Sequence, residues 1–139
     1  MKLTDHDAQE RLARHDHGIL CTIHRDRGTD AVPVVYALHD GHIAVPIDRV
    51  KPKSTTRLQR ERNLDADPRA TLLIEHWNRD DWSQLWWVRA GLVLAAVDPE
   101  RERTLGVHLA RRYRQYRDQP FRRILVFRID SISGWGATT

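Results

Sequence analysis

Six residues from Lys51 to Arg57 have the types and the spacing to hold an anion. Lys51 and Lys53 are followed by the hydroxyls of Ser54, Thr55 and Thr56, and Arg57 comes directly after them. Ser54 or Thr55 can cap a helix running from about Thr55 to Leu64. The cap leaves unpaired backbone N–H groups and the positive end of the helix dipole facing outward. Lys51, Lys53 and Arg57 gather at that same end, where a phosphate would be held most favourably. From Val50 to Asn63 there are five cations (Lys51, Lys53, Arg57, Arg60 and Arg62) against Glu61 alone, a local net of +4. The same composition also suits a solvated basic helix with an ordinary cap.

Other chemistry-bearing residues point less far. His15-x-His17 and His39-x-x-His42 have the spacing of metal ligands, but they sit at polar element ends without cysteines or a carboxylate motif nearby, and no metal site is expected. Cys21 is the only cysteine, so there is no disulfide framework. In its apolar run it reads as a small inert hydrophobe, and a reducing cytoplasm fits. Arg111 to Arg123 holds six arginines and one aspartate, a net of +5, which reads either as a solvated helix face or as a rim that attracts polyanions. Interleaved Arg and Tyr at 112–116 is the only feature pointing to nucleic acid, and a net charge of +4 over 139 residues gives it little support. No apolar run approaches the ~20 residues of a membrane span, and the charged MKLTDHDAQERLARHD carries no secretory core. The reading is a single globular domain over residues 1–139, cytoplasmic, with neither nucleic acid nor membrane as partner. No nucleophile–base pair is visible, so the catalytic residue stays unknown.

The elements that must position these residues follow from periodicity and punctuation. Thr4 and Asp7, with Leu3, Ala8 and Leu12 at helical spacing, predict a helix from about Asp5 to His15, with Gly18 ending it. Ile19–Ile23 is a buried strand and Arg25–Asp30 a turn. A second strand runs from Ala31 to Leu38, in which Pro33 marks an edge or a bulge. Asp40-Gly41 makes a tight hairpin into a third strand, His42 to Asp48, completing a three-strand meander. After the basic helix come a strand from Ala70 to Trp77 and a long one from Leu85 to Val97 with Gly91 as its bend. Asp98-Pro99-Glu100 starts a helix reaching about Arg117, and Arg123–Ser131 is the last strand. The order α-β-β-β-α-β-β-α-β, without GxGxxG, excludes a Rossmann unit. It predicts a mainly β (α+β) fold, a small antiparallel barrel with helices outside.

Three segments carry a family resemblance: AVPVVYALHDGHIAV, KPKSTTRLQRERNLDADPRATLLIEHWNRDDWSQLWWVRA and ILVFRIDSISGW. Together they resemble the pyridoxamine 5′-phosphate oxidase-like (PPOX class) superfamily, and the central block is closest to its F420-dependent oxidoreductase branch. The resemblance spans about Arg11 to Trp135. It implies a six-stranded antiparallel split β-barrel of FMN-binding type with flanking helices. It also implies a homodimer holding flavin or deazaflavin in a groove between subunits. Carried over by position, Lys51, Lys53, Ser54, Thr55 and Arg57 would grip the cofactor phosphate, and Pro33, Val34 and Tyr36 would pass beside the tricyclic ring. Trp77, Trp87 and Arg89 would lie near the cofactor tail or the substrate.

The implied cofactor is coenzyme F420, with FMN as the alternative; both present a phosphate, so the anion site does not separate them. The implied reaction is hydride transfer between C5 of the deazaflavin and an unsaturated organic small molecule. The protein would supply placement, electrostatics and exclusion of water. Two other readings remain open: an FMN-binding pyridoxamine 5′-phosphate oxidase-like enzyme, and a non-catalytic binder of cofactor or tetrapyrrole.

Overall fold

The computed structural model describes residues 1–49 and 57–137. Helix α1 (Asp5–Arg14) starts as its sequence dictates, with the Asp7 N–H donating to Thr4 Oγ1 at 3.1 Å, and it buries Ala8 and Leu12. Asp5 and Asp7 lie in its first turn and Arg11 and Arg14 in its last, both matched to the dipole. It ends before Gly18, which instead opens strand β1 (Gly18–His24). There a side chain would meet Leu73 O and Ile74 Cγ2 at 2.9 Å, so the close approach of β5 (Arg69–His76) accounts for the glycine.

The remaining strands are β2 (Gly28–Val34), β3 (Ala37–His39), β4 (His42–Asp48), β6 (Trp86–Leu94) and β7 (Phe121–Gly136). They join β1 and β5 in one antiparallel sheet ordered β2-β1-β5-β6-β7-β4-β3. Seven strands replace the expected six, because the run from Ala31 to Leu38 breaks at Val35-Tyr36. The expected meander is absent for the same reason: β2 pairs β1 at one edge and β3 pairs β4 at the other. A flat sheet of seven strands would hold its edges about 29 Å apart, six spacings of ~4.8 Å. Two residues between Val34 and Ala37 can reach only about 11 Å. The sheet must therefore curl until its edges meet, a barrel split between β2 and β3.

Tyr36 fills that seam. Its side chain is fully buried, and its hydroxyl donates to Leu12 O at 2.5 Å. Tyr113 Oη donates to Asp16 O at 2.6 Å and also lies 2.9 Å from Tyr36 O. The interior is filled by Leu20, Ile43, Val45, Leu72, Val88, Ala90 and Phe127, alternate residues of their strands. Helix α3 (Pro99–Arg112) covers the other side of β3 and β4, packing Leu105 and Leu109 on Ala37, Ala44 and Val126. Its Asp98 cap accepts from the Arg101 N–H at 2.8 Å. It stops at Arg112 rather than Arg117, because Tyr113 turns inward to the seam; Arg114–Tyr116 forms a 3₁₀ turn. Strand β6 shifts register at Gly91/Leu92, the bend expected there.

Helix α2 (Gln59–Ala66) starts four residues later than its sequence pattern implied, capped at Leu58. Leu58 offers no side-chain acceptor, and the Glu61 carboxylate takes the Leu58 N–H at 2.9 Å instead. Glu61 is 1% exposed and also accepts from Arg122 Nη2 at 2.6 Å and Arg123 Nη1 at 3.2 Å. Burial would raise its pKa, but these partners hold it down to about 2. Asn63 is equally fixed, donating to Thr22 Oγ1 at 3.0 Å and Asp30 Oδ2 at 2.9 Å. Glu61 ties α2 to β7, and Asn63 ties it to β1 and β2.

Candidate functional site

The ends of β2 and β4 and the start of α2 enclose a cleft of about 570 Å³. Its apolar wall is Pro33, Val34 and Val35 on one side and Pro46, Ile47 and Leu58 on the other. Polar side chains enter from His17, Asp48, Arg60 and Tyr116. Asp48, at the end of β4, and Leu58, at the start of α2, both line it.

The chemistry of this cleft centres on Arg60. Arg60 lies in the first turn of α2, half-buried, and its Nε is buried with no hydrogen-bond partner among the described residues. Burial lowers its pKa and the neighbouring Arg122 lowers it further, against Glu61 and Asp48. A buried donor without a partner is costly and rare, and the side chain that carries it lines the cleft. Tyr116 is pushed up to about 12, first by burial and then by its hydrogen bond to Asp48, so it remains a neutral phenol across the working pH range. The cleft thus pairs an apolar slot, suited to a planar ring, with one cationic group that has hydrogen-bonding capacity to spare.

The sequence-derived site residues divide. Pro33 and Val34 line the cleft, as does Val35, whereas Tyr36 belongs to the seam and its side chain does not reach the cleft. Lys51, Lys53, Ser54 and Thr55 lie outside the described residues. Arg57 precedes α2 and turns back along it, pairing with Asp65 at 2.5 Å. The N-terminus expected at Ser54 or Thr55 is replaced by the Leu58 start, so Arg60, not Arg57, stands at the first turn. Trp77, 52% exposed, follows β5 and packs against Trp82 at 6.2 Å between ring centroids. Trp87 and Arg89 lie on the face of β6 opposite the core, with the guanidinium 5.1 Å from the indole centroid. None of these three lines the cleft. Arg60, Asp48, Tyr116 and His17 were missed; Arg60 had a signal in the local +4, while Tyr116 reaches the cleft only through folding.

Among the described residues no group of three or more His, Cys, Asp or Glu could hold a metal ion. No described helix is long and apolar enough to cross a membrane.

No protein-family model matches the sequence, and no curated protein does. Solved structures do match over nearly the full length. A conserved hypothetical protein of Mycobacterium tuberculosis superposes with a TM-score of 0.75 at 23% identity, over 97% of this chain and 86% of that one. A FAD-binding protein of Mesorhizobium loti gives 0.69 at 13% identity, over 96% and 95%. A Corynebacterium glutamicum protein bearing the name of pyridoxamine 5′-phosphate oxidases gives 0.59 at 16%, over 96% and 94%. The curled antiparallel sheet, its split at Tyr36 and its three flanking helices give this chain the split-barrel fold of the pyridoxamine 5′-phosphate oxidase-like proteins.

Proposed function

We propose that the cleft binds a flavin-type cofactor with its phosphate on Arg60, and that the protein is an oxidoreductase acting on an unsaturated organic small molecule. The observation that carries this reading is the buried Nε of Arg60, without a hydrogen-bond partner among the described residues, in a side chain that lines an apolar slot. The slot suits a planar ring system between Pro33–Val35 and Pro46–Ile47, and the orphaned donor suits an anion. Coenzyme F420 is the first choice, on the resemblance of residues 51–90, and FMN is the alternative. The bound cofactor supplies hydride chemistry, while the chain orients the ring, neutralises the phosphate and excludes water. Lys51, Lys53, Ser54 and Thr55 adjoin the cleft in sequence and belong to the same phosphate grip. The split-barrel neighbours include a protein that binds FAD, which accords with a flavin-sized ligand in this fold.

We also propose that the working form is a homodimer. Leu20, Leu72, Ile74 and Val88 point into the core, so Ile19, Leu73 and Trp87 point outward from the same strands. Ile23 and Trp135 extend that face with 36% and 37% of their surface exposed. A second copy covering this apolar area explains its composition. Parallel titration of F420 and FMN into wild-type and Arg60→Met protein tests the cofactor reading. Saturable binding lost in the variant supports it, and equal binding by both proteins refutes the role of Arg60.

A further inference from the structure

His17 reaches the cleft from the link between α1 and β1, residues 15–17, which belongs to neither element. The groups that fix this link come from the C-terminal end of α3. A helix leaves the carbonyls of its last turn without intrahelical donors. At the end of α1, Arg112 Nη1 donates to Ala13 O at 2.7 Å, and Arg112 Nη2 donates to His15 O. Tyr113 Oη donates to Asp16 O at 2.6 Å, while Leu12 O accepts from Tyr36. The guanidinium also brings positive charge to the negative end of the α1 dipole. It lies over the rings of Tyr36 and Tyr113, 5.2 and 5.6 Å from their centroids. The Tyr113 hydroxyl is fully committed: besides donating its one proton, it accepts from the Tyr36 N–H at 3.3 Å and from Arg112 Nε at 3.0 Å. Asp16 precedes His17 and Tyr36 follows Val35, and both His17 and Val35 line the cleft. One hydroxyl therefore bridges the two segments that bring those residues there. Tyr116, a third lining residue, meets the Tyr113 ring edge-on at 6.0 Å. Neither Arg112 nor Tyr113 lines the cleft itself.

We infer that Arg112 and Tyr113 are positioning residues for the cleft, holding its His17, Val35 and Tyr116 side in place through backbone groups and ring packing. The inference rests on the cofactor reading of the cleft. A wall that is already ordered removes the penalty of ordering it from binding, so loss of the clamp lowers affinity in molecules that stay folded. Arg112 acts through its fork, with one guanidinium reaching two carbonyls and the Tyr113 hydroxyl at once. Lysine at 112 keeps the charge at the end of α1 but lacks the planar fork, so it does not substitute.

The test compares the whole wild-type chain with Tyr113→Phe, which keeps the ring and deletes the hydroxyl, and with Arg112→Lys. Val88→Ala truncates a barrel-core side chain that touches neither cleft nor clamp, and serves as the control for lost stability alone. FMN and F420 are titrated calorimetrically into each protein at a temperature where circular dichroism shows it fully folded. Each clamp variant weakens the cofactor that wild type binds by ~3- to 10-fold, whereas Val88→Ala melts earlier and binds as wild type does. Hydrogen exchange followed by mass spectrometry supplies a readout that needs no ligand. Amides of residues 12–18 and 33–37 exchange faster in Tyr113→Phe than in wild type or Val88→Ala. Arg112→Lys keeps the test open if Tyr113→Phe misfolds. Wild-type affinity in both folded clamp variants, or a loss that Val88→Ala reproduces, would overturn the inference. Unchanged exchange at both segments would overturn it too. If wild type binds neither cofactor, the cofactor reading falls, and faster exchange confined to the two segments would leave the clamp standing without it.

Discussion

Replacing Arg60 by methionine separates stability from binding. Met keeps the unbranched length and the helix propensity of Arg while removing the guanidinium. That guanidinium is half-buried, and its Nε has no hydrogen-bond partner among the described residues. An unsatisfied buried donor costs about 1–3 kcal/mol, against which stand only its attractions to Glu61 and Asp48. The net expectation is that Arg60→Met is as stable as wild type or more so, by about 1 kcal/mol, a rise in Tm of about 3 °C for a domain of this size. Binding moves the other way. A charge-assisted hydrogen bond contributes about 1.5–3 kcal/mol, so its loss weakens FMN or F420 by about 10- to 150-fold. Thermal melting of the ligand-free proteins, with fluorescence titration of both cofactors, reads the two effects separately. A variant that melts lower than wild type and binds both cofactors equally well would show that Arg60 is structural, and the phosphate assignment would fall.

Three further outcomes follow from the same geometry. Glu61→Ala strands Arg122 and Arg123 and removes the cap of α2; urea denaturation should show a loss of about 3–5 kcal/mol. The Glu61 carboxyl is held at about 2 in the folded state, below its unfolded value, so this stability is complete above the unfolded pKa and is lost as pH falls through the folded one. The Tm deficit of Glu61→Ala should therefore be widest near neutral pH and should close on acidification; a deficit that is constant with pH would contradict the account. Asn63→Asp places a second carboxylate 2.9 Å from Asp30 in place of a donated hydrogen bond, and melting near neutral pH should fall and recover in acid. Leu73→Glu on the outward face of β5 should leave a folded monomer by light scattering, against the dimer proposed for the wild type; a wild-type monomer would remove the dimer proposal.

Where local chemistry decides the structure, the sequence could be read directly. Strand β4 has the predicted bounds because the Asp40-Gly41 turn, at φ of 51° and 74°, starts it and the charged Asp48-Arg49 ends it. Asp98-Pro99 capped α3 and Gly91 bent β6 for equally local reasons. The break at Val35-Tyr36 was invisible, because Val34, Val35 and Tyr36 all favour strand and only closure of the sheet forces them to cross. Strand β7 continues past Ser131 through Gly134 and Gly136, residues that weaken strands in isolation. Gly134 is required there, since a Cβ would meet Leu3 Cδ1 and Trp87 O at 2.9 Å. The proposed anion site was half legible. Its charge and its place beside β4 were in the sequence, but the choice of Arg60 over Arg57 depends on Glu61 capping α2 and on Asp65 claiming Arg57. Tyr116 and His17 join the cleft from 56 residues after Arg60 and 43 before it, a distance no local pattern spans.

The most direct test of the central claim is an equilibrium titration of the purified protein with F420 and with FMN, followed by tryptophan fluorescence. The five tryptophans include Trp86, which packs on the ring of His15 beside the cleft. Saturable binding of one cofactor per chain, with F420 preferred, is the predicted result. Binding of neither would contradict the account and leave the cleft at Arg60 without the ligand assigned to it.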